Sequence, residues 1–149
     1  MSRLPPLDPA SMTAEQKRVH DTIAGARKTV RGPFPMWLRN PALADHANAF
    51  GVALRDSSIG RRIFELIVIT VCRAWSVQYA WSSHAPQAEI AGVSPEVVKA
   101  IQDSRTPDFS RDDERVAYTV AQEIMTTKEL SKPTYDMAIR RSEEHTSEL

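Results

Sequence analysis

Between Ile63 and Val71 every residue is apolar except Glu65 and Thr70. The run is far too short to cross a bilayer, so it has to be buried inside a folded domain. Its polar residues, Arg61, Arg62, Glu65 and Cys72, do not alternate with the apolar ones as a strand requires. The stretch therefore reads as a helix that begins near Ser58 and carries Ile63, Leu66, Ile67, Ile69, Val71 and Ala74. Being apolar nearly all round, it is expected to be the central helix, covered by others on most sides.

The rest of the chain is punctuated as helices. Thr13-Ala14-Glu15-Gln16 forms a capping box and opens a helix to about Val30, with Val19, Ile23 and Ala26 at helical spacing. Asn40-Pro41 is an N-cap followed by proline, a start signal for a helix to about Arg55. A helix from about Gln78 to Ala91 stops at Gly92. Ser94-Pro95 starts a short one to about Asp103, Ser110-Arg111-Asp112-Asp113 resembles a capping box that opens another from Ser110, and Ser131-Lys132-Pro133 opens the last. Arg31 to Leu38 holds a glycine and two prolines, which argue against a regular element. Phe34, Met36 and Trp37 make it too apolar for a solvated loop, so it reads as a buried loop that packs on the core or covers a pocket. The expectation is an all-α bundle of about six to seven helices.

A chain of 149 residues is expected to form one domain. Its 19 basic and 19 acidic side chains balance, so the electrostatic footprint of a nucleic-acid binder is missing. A chain without net charge is compatible with packing against copies of itself. No membrane span is expected. The N-terminal Met1-Ser2-Arg3-Leu4-Pro5-Pro6 has no apolar signal core, which makes a cytoplasmic location the expectation. Cys72 is the only cysteine, so no intrachain disulfide and no CxxC pair can form.

The last nine residues, 141–149, are polar and lack the apolar spacing of the helix they extend. They match the in-frame translation of a common sequencing-adapter oligonucleotide. The expected division is a domain over 1–140 and a non-native tail over 141–149, and His145 is given no functional weight.

Few residues have the chemistry of a site. A carboxylate in an apolar helix, as at Glu65, must protonate or find a partner. A salt bridge to Arg61 or Arg62 would explain it structurally, and a functional carboxylate would explain it equally well. His84 follows Trp81 by three residues and shares its helix face, an arrangement suited to a pocket wall. Histidine is the natural proton carrier near neutrality, although a structural histidine fits the same spacing. His20 and His46 sit at surface positions on other helices, and no trusted metal-ligand spacing is present. Cys72 reads as a small core residue.

Taken in order, Gly32-Pro33-Phe34, Asn40-Pro41-Ala42-Leu43-Ala44, Arg62 to Ile69, Trp75, Tyr79-Ala80-Trp81-Ser82-Ser83-His84 and Ala91-Gly92-Val93-Ser94 resemble the carboxymuconolactone decarboxylase family. That family also contains the AhpD-type alkylhydroperoxidases. The resemblance runs from about Leu4 to Arg140. Glu65 and His84 match the family's glutamate and histidine. The resemblance implies an AhpD-like helical protomer in a homo-trimer or hexamer, with the site near a subunit interface. It also implies decarboxylation of 4-carboxymuconolactone in aromatic-compound breakdown, with no cofactor and no metal. His84 would donate the proton or stabilise the enolate, and Glu65 would orient it. Trp81, Tyr79, Phe34, Trp37 and Arg62 would line the substrate pocket. Which of Arg39, Arg61 and Arg62 meets a substrate carboxylate is left open.

Two departures from the family pattern shape the expectation. The hydroperoxidase branch has cysteines where this chain has Val77 and Ala80, so thiol peroxidase chemistry is not expected. The decarboxylase branch has glutamate at the position of Ala80. That substitution leaves a second reading, a non-catalytic oligomer that keeps a small-molecule pocket.

Overall fold

The computed structural model describes Leu4, Pro5 and residues 7–147, with side chains as far as Ser142. The N-terminal Met1, Ser2, Arg3 and Pro6 and the final Glu148 and Leu149 lie outside the described residues, as does the His145 side chain. Among the described residues there are eight α-helices and no strand. They are α1 (Ala14–Arg27), α2 (Phe34–Trp37), α3 (Pro41–Arg55), α4 (Gly60–Ala74), α5 (Gln78–Ile90), α6 (Pro95–Gln102), α7 (Asp112–Thr127) and α8 (Lys132–Ser147). No helix is long and apolar enough to cross a membrane among the described residues. The chain divides into two compact units, Met1–Ser57 and Ser58–Leu149.

The first unit contains α1 to α3. Both halves of the capping box form: Gln16 N–H donates to Thr13 Oγ1 at 3.2 Å, and Thr13 N–H donates to Gln16 Oε1 at 3.0 Å. Helix α1 ends at Lys28, which takes a left-handed conformation with φ 63°. It buries Val19 and Ile23 but leaves Ala26 exposed. These two residues pack with Phe34, Leu38 and Ala44 into the unit's core. Full burial of each such large side chain is worth about 1.5–3 kcal/mol. Arg27 donates to Asn48 Oδ1 at 2.8 Å and ties α1 to α3.

The segment from Arg31 to Leu38 is not the irregular loop expected. Its middle forms one helical turn, α2, because Pro33 and Pro35 fall at the start of the turn, where a missing N–H costs nothing. Phe34 and Leu38 are buried as expected, whereas Met36 and Trp37 are over a third exposed.

The second unit is built around α4, which packs on α5, α6 and α7. Leu66 and Ile69 of α4 join Ala85, Ala88, Val93, Val97, Val98 and Ile101 in its core. Sharp turns separate the helices. Gly92, with φ 99°, ends α5 as expected of a left-handed C-terminal glycine. Ser94 Oγ then caps α6 by accepting from Val97 N–H at 3.3 Å. The start of α7 differs from expectation: Arg111 occupies the cap position and makes no side-chain cap bond. Asp112, Asp113 and Glu114 in the first turn supply negative charge at the positive helix end instead. Helix α8 runs through residues 141–147, so the polar tail continues the helix as far as it is described.

Helix α4 is strongly two-sided. Opposite its core face, Ile63, Ile67 and Val71 line an open apolar groove of about 630 Å³ together with Val120 and Ile124 of α7 and Ala138 of α8.

Candidate active site

Glu65 is completely buried, with no accessible surface. It stands one turn along α4, on the side that packs against α5, because Leu66 and Ile69 beside it are fixed in the core. On α5, Ala85 and Ala88 make the corresponding contact. Their small size lets the helices approach, and His84, next to Ala85, reaches across.

The result is a short hydrogen bond. His84 Nδ1 lies 2.7 Å from Glu65 Oε2, joining residues nineteen positions apart. With the carboxylate ionised, Nδ1–H donates and Oε2 accepts. That choice leaves Nε2 pointing away from the carboxylate. The His84 side chain is 32% exposed, against 0% for Glu65. The dyad is thus a dry anchor with a ring that reaches solvent.

The other carboxylate oxygen meets a cation. Arg61 Nη2 lies 2.6 Å from Glu65 Oε1, one helical turn away on α4. The approach is off the hydrogen-bonding axis, so Oε1 accepts no hydrogen bond and the contact is an ion pair. A buried carboxylate without a counter-charge would be costly to ionise, and Arg61 supplies that charge. The salt-bridge account and the functional account of Glu65 therefore coexist: one oxygen faces each partner.

Arg62 points elsewhere. Its Nη2 lies 2.5 Å from Asp113 Oδ2, and its Nη1 lies 2.5 Å from Glu114 Oε1. This fork pins α4 to the start of α7. Burial pulls down the charged form of Arg62, and the bonds to Asp113 and Glu114 outweigh it and raise its pKa. Burial likewise disfavours the Asp113 carboxylate, yet Arg62 holds it below its ordinary range. Glu114, only 3% exposed, is a buried carboxylate that sequence reasoning missed. The available signal was its place on the buried face of α7, two turns before Ala121.

The remaining expected pocket residues scatter. Trp81 packs against the second unit's core and lines a cavity of about 360 Å³ with Cys72, Arg73 and Lys99. Tyr79 is 59% exposed. Phe34 packs into the first unit's own core, and Trp37 stacks edge-on against it with ring centroids 5.3 Å apart. Neither this cavity nor the apolar groove is lined by His84. Cys72 is buried, and no second cysteine exists to pair with it. Among the described residues no group of three or more metal-ligating side chains converges.

Glu65 fixes the ring through Nδ1, which leaves Nε2 at a solvent-facing point where an imidazole could give or take a proton. Comparison of the chain with family models, curated proteins and solved structures finds no match.

Proposed function

We propose that this chain is a cofactor-independent, decarboxylase-like enzyme acting on a small carboxylated lactone of the 4-carboxymuconolactone type, in the manner of the family its sequence resembles. The observation that carries the reading is the 2.7 Å bond between His84 Nδ1 and the fully buried Glu65. Nothing in helix packing requires a histidine and a glutamate to share a proton there. A carboxylate held on Nδ1 fixes the ring's orientation in advance, as proton transfer needs.

In this reading the bond from the ring carbon to the departing carboxylate breaks and carbon dioxide leaves. Its electron pair moves through the conjugated lactone to the carbonyl oxygen, forming an enolate. Imidazolium Nε2–H of His84 stabilises that charge and delivers a proton to carbon. Glu65 keeps Nδ1 protonated throughout and balances the ring's positive charge. An AhpD-like arrangement and assembly into a trimer or hexamer belong to the same proposal. They agree with a dyad that opens to the surface and with no described cavity reaching it, because a partner subunit would then close the site.

A second reading, a non-catalytic oligomer, is favoured by one observation: His84 lines neither described cavity. Carbon dioxide release from 4-carboxymuconolactone, with His84→Ala as control, separates the two. Release that depends on His84 supports the enzyme. A folded protein that releases none supports the scaffold.

A further inference from the structure

We infer that Arg61 is the anion anchor of the Glu65–His84 site, holding the carboxylate that the substrate keeps while the other one departs. The inference rests on the lactone-acid reading above and names the residue that recognises the acid.

Three observations converge on it. First, Arg61 and His84 contact opposite oxygens of one carboxylate, Oε1 at 2.6 Å and Oε2 at 2.7 Å. Both side chains therefore bear on the same carboxylate. Second, Arg61 is placed against local preference. It lies in the first turn of α4, where the helix end is positive and a cation is disfavoured, and it precedes its carboxylate partner, the weaker order for such a pair. A residue that breaks a local rule beside a candidate site calls for a reason beyond folding. Third, its guanidinium remains available. The side chain is 45% exposed and its contact with Glu65 runs through Nη2. The planar fork carries five N–H donors and suits a bidentate carboxylate.

The bonds of the other two arginines go to groups other than the dyad's carboxylate. Arg62 is held in its fork with Asp113 and Glu114 and is only 20% exposed. Arg39 donates to the Pro5 carbonyl at 2.6 Å within the first unit. The ring of Phe64 lies 5.7 Å from the Arg61 guanidinium carbon and offers an apolar wall beside it.

Chemistry decides which carboxylate Arg61 holds. An ion pair to the departing group would stabilise the ground state and slow its loss. The anchor therefore acts on an acidic group that remains, and the substrate carries two.

The test uses the full chain and two unreactive probes, the saturated γ-butyrolactone acetate and its neutral methyl ester. Neither has the conjugation needed to lose carbon dioxide. Binding is read by calorimetry and by the imidazole nitrogen resonances of His84. The acid should bind and shift His84, and the ester should not. Arg61→Met should weaken acid binding by about tenfold or more, and Arg61→Lys should restore part of it. Undiminished acid binding in Arg61→Met, ester binding equal to acid binding, or no acid binding to the unaltered protein overturns the inference. If Arg61→Met fails to fold, Arg61→Lys decides: unchanged acid affinity in it argues against a bidentate anchor. Acid binding through Arg61 without carbon dioxide release would keep the anchor and reject the decarboxylase. Release dependent on His84 with an unchanged KM in Arg61→Met would do the reverse.

Discussion

Glu65 and Cys72 lie seven residues apart on the buried face of α4, and the Glu65 carboxylate bears on the Cys72 thiol. Burial pushes the Cys72 thiol up from its ordinary range, and the Glu65 charge adds to it. In the unfolded chain this thiol ionises near 8.5–9. Below that range the raised pKa contributes its full stabilisation. As pH rises through it, the unfolded thiol ionises before the folded one and stability falls. The alkaline limb of stability against pH should be shallower in Cys72→Ala than in the unaltered protein. In Glu65→Gln, thiolate absorbance should appear at lower pH.

His84→Ala should lower kcat by on the order of a hundredfold or more. The same change strands the buried Glu65 Oε2, so the melting midpoint should fall as well, by about 1–3 kcal/mol in stability. Glu65→Gln should lower kcat less, because an amide can still accept from Nδ1 but cannot balance the imidazolium. Unaltered turnover in His84→Ala would remove it from the mechanism.

Arg62 should matter to stability and not to chemistry. Arg62→Met strands Glu114, a carboxylate with almost no access to water, and should cost about 2–4 kcal/mol by denaturant unfolding. The same fork predicts an acid limb. Asp113 is held below its ordinary range, so its stabilisation is complete above the unfolded value near 3.9 and is lost as pH falls through the depressed folded value. Asp113→Asn should flatten that limb while leaving the neutral region of the pH–rate profile in place.

Position 80 tests the decarboxylase reading from another side. Ala80 precedes His84 by four residues and so shares its face. It also lies in the first turn of α5, which has no acidic residue and no side-chain cap. Ala80→Glu should raise the melting midpoint, by about 0.3–1 kcal/mol in stability. It should also raise release of carbon dioxide from 4-carboxymuconolactone. Stabilisation without any rise in turnover would show that the alanine is not what limits this chemistry.

The groove between α4, α7 and α8 is large and apolar enough to be a liability in dilute solution. Ile124, 38% exposed on its rim, can be changed to lysine with little loss of packing. Ile124→Lys should bind less of a hydrophobic dye and resist concentration-dependent aggregation. Equal dye binding would show that the groove is covered in solution.

What was legible in the sequence follows from the range of the interactions. Thr13 with Gln16, Asn40 with Pro41 and Ser94 with Pro95 marked helix starts because caps are made by residues within three positions. Ser110 misled because its place at the cap is taken by Arg111, and a charged first turn serves α7 without a capping bond. Arg61 with Glu65 was a foreseeable pair, one turn apart. Glu65 with His84 was not foreseeable from spacing, because it depends on how closely α4 and α5 approach. Arg62 with Asp113 and Glu114 spans more than fifty positions and left no local trace.

Every group that touches the Glu65 carboxylate among the described interactions comes from α4 and α5, two helices joined by a short turn. Cation, acid and imidazole are thus encoded by one continuous stretch of the gene, from Arg61 to His84. Such a cassette is inherited or lost as a single piece. On the proposed reading, one substitution at Arg61, Glu65 or His84 would end the chemistry, while the core of Leu66, Ile69 and Ala88 goes on holding the fold.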